Sequence, residues 1–294
     1  MRGAYTRAMA AAAVMAVVLG MLTGCFGNED EIFVISREDG SGTRSAFTKL
    51  VGIQTENAQG EAVDRTLDTA EITNSTGVML SGVAENRNAI GYVSLGAVND
   101  RVKTLTVDGA AATAENVRSG SYPIRRKLQI VLRPEISAAA RDFVAFILSD
   151  DGQAVAEEAG YVSGGSSGVF QEERVRGEVT VSGSSSVFPV MEKLAEAYMS
   201  RSGVTIVLQT SDSTTGIRDA ADGLCDVGMT SRDLTEGERG DLFAYTVALD
   251  GIAVIVHPEN PLADLSRQQL CDIYTGVITG WEQLKTEQGG RYAP

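Results

Sequence analysis

The sequence predicts an α/β fold built in two blocks, with mostly parallel strands and a ligand site at strand ends. Three observations carry this. Strand-like and helix-like runs alternate along most of the chain; a Ser/Gly-rich stretch, Ser163 to Gly168, divides it; and three strand-to-helix junctions are filled with Ser, Thr and Gly.

In the first block, Glu31 to Ser36 reads as a strand and Thr43 to Val51 as a helix. A helix opens at Ser75-Thr76-Gly77 and runs to Ala84, and Ala89 to Ser94 is a strand. Glu115 to Ser119 is a short helix, Leu128 to Leu132 a strand, and Ile136 to Glu158 a long amphipathic region. In the second block Glu178 to Ser182 and Val204 to Gln209 are strands, and Pro189 to Met199 and Thr214 to Asp222 are helices. Val227 to Met229 is a short strand, Tyr245 to Val256 an apolar strand region, and Ser266 to Tyr274 a helix.

The N-terminus reads as an export signal. Arg2 and Arg7 form a basic start, an apolar run from Met9 to Leu22 follows, and Leu22-Thr23-Gly24-Cys25 closes it. Small residues before a cysteine are the pattern of a bacterial lipoprotein site, which makes residues 1–24 a signal peptide and Cys25 the lipidated residue. The run is short for the ~20 apolar residues of a membrane span, the competing reading. The net charge of -14 argues against nucleic acid as a partner, so an anion must be held by a local site rather than by the overall field. Cys225 and Cys271 pair in one reading and are two separate buried thiols, each followed by an aspartate, in the other; the second is favoured, since nothing in the sequence places the two side by side. His257, the only histidine, sits in a turn-like Pro/Asn stretch. That excludes a zinc site built on several histidines and weakens hydrolase readings. No metal or cofactor is expected.

The three junctions are Ser36 to Thr43, Ser182 to Ser186, and Ser211 to Gly216. Each offers free helix-start N–H groups and short hydroxyl donors, which together can replace the water around a tetrahedral oxyanion. One such junction alone is usually only a helix cap; three, one of them bearing Arg37, point to a shared site. Arg37 adds a charge-assisted contact, and Asp39 stands near enough to hold it, or is a solvated loop acid. No Gly-x4-Gly-Lys-Ser/Thr loop is present, so nucleotide binding has no support.

Arg37-Glu38-Asp39-Gly40-Ser41-Gly42-Thr43-Arg44 resembles the signature of the PstS family, the phosphate-binding proteins of ABC importers. So do Ala89 to Leu95, Gly120-Ser121-Tyr122-Pro123, Val181 to Tyr198, Asp226 to Arg232, Asp250 to Val256 and Tyr274 to Trp281. The resemblance implies a type II periplasmic-binding-protein fold, two α/β lobes with mixed sheets and a hinge. Lobe II would comprise residues 25–120 and 256–294, and lobe I residues 121–255. Phosphate would lie between them, on Arg37, Ser41, Gly42 and Thr43 from one lobe and Ser185, Ser186, Ser213 and Ser231 from the other. Asp39 would match the acid that pairs with the binding arginine. Some members carry an aspartate where Ser231 stands, which accepts the proton of monohydrogen phosphate and repels sulfate; serine repels less.

The pieces come in a different order from the family's. The Ser182 to Ser186 piece should lead, and the Arg37 to Arg44 piece should follow Trp281. Circular permutation accounts for this, with a flexible joint at residues 163–177 linking the old termini. About fifteen such residues span roughly 20 Å. A misjoined or truncated tandem gene is the alternative, and adjacency of the present ends would separate the two. The implied function is a lipid-anchored phosphate receptor partnered by ABC permease subunits, on the extracytoplasmic face of the cell membrane. The alternatives are a non-transporting phosphate sensor, a receptor for another tetrahedral oxyanion such as sulfate, and a phosphatase. The last has no metal cluster or nucleophile–base pair to support it.

Overall fold

A computed structural model describes residues 30–287. The expected signal segment and Cys25 lie outside the described residues.

One long strand organises the molecule. β13 (Phe243–Val256) is buried from Val247 onward, apart from a half-buried Leu249, and apolar there except for Asp250; it serves both halves of a ten-stranded sheet. Its first part, to Gly251, runs antiparallel to β8 (Arg125–Leu132). Its second part, from Ile252, runs antiparallel to β5 (Ala89–Ser94). Beyond β8 the order continues through β12 (Val227–Thr230) and β10 (Arg176–Ser184) to β11 (Gly203–Ser211). Beyond β5 it continues through β1 (Phe33–Arg37) to β4 (Glu71–Thr73). The outer strands pair in parallel, as expected. The central pairings are antiparallel, because β8 and β13 cross directly between the two halves instead of returning over a helix.

Each half buries its own core. Lobe I packs β8, β10 and β12 against α4 (Ala138–Leu148) and α6 (Phe188–Met199) through Phe143, Phe146, Met191, Leu194 and Tyr198. Lobe II packs β1, β5 and the end of β13 against α1 (Gly42–Val51) and α9 (Arg267–Tyr274) through Phe47, Tyr92, Leu270 and Tyr274. Tyr122, Ile124, Ile252, Val254 and Val256 belong to this second core. The lobes therefore exchange chain near Arg125 and Ile252, a few residues from the boundaries at 121 and 256. The long amphipathic region is two helices. Ser149 ends α4, its N–H donating to Phe146 O, and its hydroxyl oxygen starts α5 (Asp150–Glu158) by accepting the Gly152 N–H.

Residues 163–177 differ from the expected flexible joint. Ser163 pairs with Ala248 in the sheet, and both Ser163 Oγ and the Gly164 N–H donate to Gln153 Oε1. The Ser167 amide donates to Leu148 O, and the Asp150 amide to Gly168 O. Phe170 is 8% exposed, edge-on to Phe146 and Tyr198, with the Arg201 guanidinium 5.3 Å from its ring centre. Ser and Gly composition signals a loose linker only while nothing receives its hydrogen bonds; here lobe I does. Phe170→Ala is expected to cost about 3 kcal/mol, as for other buried Phe truncations. An unchanged urea midpoint would show the joint to be unanchored.

Residues near the two ends of the described chain meet, while Pro294, whose approach to Glu31 would test permutation directly, lies outside the described residues. The Trp281 amide donates to Asp30 O at 2.9 Å, the Ile32 amide to Thr279 O at 2.8 Å, and Glu31 bridges Gly280. Cys225 and Cys271 are separate buried free thiols, as the second reading of the sequence had it. Burial pushes Cys225 up to about 11.

Candidate functional site

Five parallel or edge strands end at one place between the lobes, and the junctions after them supply the site. On lobe II, β1 ends in Ser36 and Arg37. The loop that follows is pinned by the Glu38 amide on Thr73 O and by the Ser41 amide on Glu38 O, both 3.0 Å. Ser41 caps α1: its oxygen accepts the Arg44 N–H at 3.3 Å, which leaves its own proton for a ligand. From beneath, Tyr92 Oη accepts the Arg37 N–H and contacts Ser36 Oγ at 2.8 Å, with its ring stacked 4.0 Å from Phe47. Burial pushes Tyr92 up to about 12, so this hydroxyl stays protonated.

Lobe I presents Ser184, Ser185 and Ser186 at the end of β10. Asp212 and Ser213 stand at the start of α7 (Ser213–Asp222), and Ser231 follows β12. Ser213 Oγ accepts the Ser231 N–H at 3.0 Å, and Ser184 Oγ donates to Ser231 Oγ at 3.0 Å. The next residue is fastened too: Arg232 donates twice to Glu238 at 2.7 Å, which holds that carboxyl down to about 2.

The lobes are closed on each other. Arg37, 2% exposed, donates through Nη2 to Ser185 Oγ at 3.1 Å. Thr43 Oγ1 lies 2.7 Å from Ser186 Oγ, and the Thr214 amide donates to Gly40 O. Gly42 faces Ser213 and Ser231 so closely that a Cβ there would overlap both hydroxyls; a Cβ at Gly40 would overlap Asp212. Residues far apart in sequence thus form one buried array of hydroxyls and amides around one guanidinium. All eight expected residues, Arg37, Ser41, Gly42, Thr43, Ser185, Ser186, Ser213 and Ser231, are buried in it or at its edge. Such a set has donors in many directions and can enclose a small tetrahedral oxyanion.

Asp39 corrects an expectation. Its side chain is 96% exposed and pairs with Arg44 at 2.8 Å. The acid on Arg37 is Glu38, which receives Nε at 2.8 Å and Nη2 at 2.7 Å as a bidentate pair. Thr76 was also missed. It opens α2 (Thr76–Glu85), and its Oγ1 lies 3.2 Å from Ser185 Oγ and 3.5 Å from Arg37 Nη1. Ser75-Thr76-Gly77 after a short strand carries the same signal as the three chosen junctions, but β4 is only three residues long and was not read as a strand. His257 accepts the Glu259 amide on Nδ1 and serves its own turn.

A two-lobed α/β chain with a polar cleft at the strand ends is the architecture of a solute-binding protein. The family model described as a PBP superfamily domain matches residues 16–151 and 168–293, and the chain belongs to that superfamily. Within it the chain belongs to the PstS family. Phosphate-binding protein PstS 2 of Streptococcus agalactiae serotype V is 46% identical over 275 residues, covering 90% of this chain and 94% of that protein. A crystal structure of a phosphate ABC transporter phosphate-binding protein from Streptococcus pneumoniae TIGR4 is 40% identical, with a TM-score of 0.68 over 86% of this chain and 99% of that one. PstS of Bacillus subtilis matches at 29% identity over 138 residues, 46% of this chain and 43% of that protein. The nearly full-length match to the S. agalactiae protein means that the two share their order of segments.

Proposed function

We propose that this chain binds inorganic phosphate between its lobes and delivers it, chemically unchanged, to the permease of an ABC importer. The observation that carries the reading is the cross-lobe array of Arg37 with Ser185 and Thr43 with Ser186, reached by closing two lobes of a family named for phosphate. Arg37, Ser41, Gly42 and Thr43 hold the anion from lobe II, and Ser185, Ser186, Ser213 and Ser231 from lobe I, with Glu38 orienting Arg37. Cys25 carries a lipid anchor that keeps the receptor at the outer face of the membrane. The segment order is a circular permutation of the arrangement in other family members. Its supports are the joined ends at Asp30 and Trp281 and the half-length match to the B. subtilis protein.

Titration calorimetry with phosphate, sulfate and molybdate tests the reading, and heat with none of them would sink it. A second reading, weaker discrimination against sulfate, rests on Ser231. A hydroxyl there, rather than a carboxylate, lets a fully ionised anion approach without facing like charge. Measurable competition by sulfate in the same titration is the expected outcome. Asp39→Asn is expected to leave phosphate affinity within about twofold, because that side chain is solvated and its pairs are worth little. Glu38→Gln, which takes the bidentate acceptor from Arg37, changes it several-fold. The reverse ranking would reassign the arginine's partner.

A further inference from the structure

The two strands that cross between the lobes carry a buried ion pair directly opposite each other, Arg126 on β8 and Asp250 on β13. Their side chains are 4% and 0% exposed. Asp250 Oδ2 accepts from Arg126 Nε and Nη2, both at 3.1 Å. Each partner also reaches onward. Asp250 Oδ1 accepts the Leu95 N–H of lobe II at 3.1 Å, and Arg126 Nη1 donates to the Ser231 carbonyl of lobe I at 3.4 Å. A path of contacts therefore runs from the backbone after β5, through the strand crossing, to the carbonyl of Ser231, a residue whose own N–H is held by Ser213 in the cleft.

We infer that Arg126 and Asp250 are positioning residues that couple the lobe crossing to the anion site by fixing Ser231 through its carbonyl. The inference rests on the phosphate reading of that site. Stability alone does not account for such a pair. Two charges removed from water are often replaceable by apolar residues of similar volume with no loss of stability, whereas deleting one partner strands a buried charge. Burial moves both groups toward their neutral forms, Arg126 downward and Asp250 upward, so the fold holds the pair against a desolvation cost. What an apolar pair cannot supply is the bond to Ser231 O and the bond from Leu95.

The test uses the full chain with Arg126→Met and Asp250→Leu together, which removes both charges at once. The expected result is a chain that still folds without phosphate, and a phosphate Kd at least tenfold weaker. Should that protein not fold, Arg126→Lys serves: it keeps a cation beside Asp250 but lacks the nitrogen that reaches Ser231, and the same direction of change is expected. Tyr198→Phe breaks the buried 2.7 Å bond to Asp142 in the core of lobe I and is the control. It lowers the midpoint and leaves Kd unchanged. Wild-type affinity in the folded double variant or in Arg126→Lys overturns the inference, as does an equal loss of affinity in Tyr198→Phe. A wild-type chain that takes up no phosphate overturns the site reading and the inference together. Wild-type binding with an unaffected variant overturns the inference alone.

Discussion

Arg37→Ala is expected to lose about 2–5 kcal/mol or more of phosphate binding, roughly a thirty- to several-thousand-fold rise in Kd. The guanidinium is buried and is the lobe II cation that reaches across to Ser185. Its removal subtracts the charge-assisted contact and leaves Glu38 without its bidentate partner beside the incoming anion, so repulsion replaces attraction. The phosphate-free fold should hold, since Glu38 is partly solvated and the arginine contributes nothing to either apolar core. The clean readout is the phosphate-induced rise in thermal midpoint. A ligand at a hundred times its Kd adds about 2.7 kcal/mol to stability, and the variant forfeits that. Arg37→Lys should restore little, because an ammonium cannot serve Glu38, Ser185 and an oxyanion in the same fork. A variant whose midpoint still climbs with phosphate as the wild type's does would remove Arg37 from the site.

Gly42→Ala is expected to act on closure rather than on the fold. In the closed lobes a Cβ at this position overlaps Ser213 Oγ and Ser231 Oγ and approaches the Ser231 backbone. Those neighbours are held by each other and by Ser184, so they have little room to yield. With the lobes apart, alanine at the first turn of α1 meets none of them. The methyl group therefore acts as a wedge between the open and closed states. Small-angle scattering with saturating phosphate should show the wild-type radius of gyration contracting and the variant's staying near its unliganded value. Affinity should fall at least tenfold. Contraction identical to the wild type's would mean that the hydroxyls move aside and that Gly42 is not a closure point.

Most elements were legible because each carries a local pattern with a physical cause. Ala89 to Ser94 reads as a strand and is one, buried along all six residues because it lies between neighbouring strands of the sheet. Ser75 and Asp212 cap helices where hydroxyls and carboxylates precede apolar periodicity. The short hairpin of Gln54–Glu56 with Ala62–Asp64 was not legible: it is exposed, and its stability comes from pairing rather than from a hydrophobic pattern. β4 escaped for the same reason, and Thr76 with it.

The alternation of elements, the family and the candidate set of Ser, Thr, Gly and Arg donors at strand-to-helix junctions came from the sequence itself, because each is carried by a local pattern. The tertiary structure alone decided which acid holds Arg37. Glu38 and Asp39 are adjacent, alike in charge and equally near in sequence, and only the course of the backbone, pinned at Thr73 O, turns one inward and the other to solvent. It likewise decided that the Ser/Gly joint is anchored and that Arg126 and Asp250, 124 residues apart, face each other. Pairings over such distances depend on strand register, which a local pattern cannot encode.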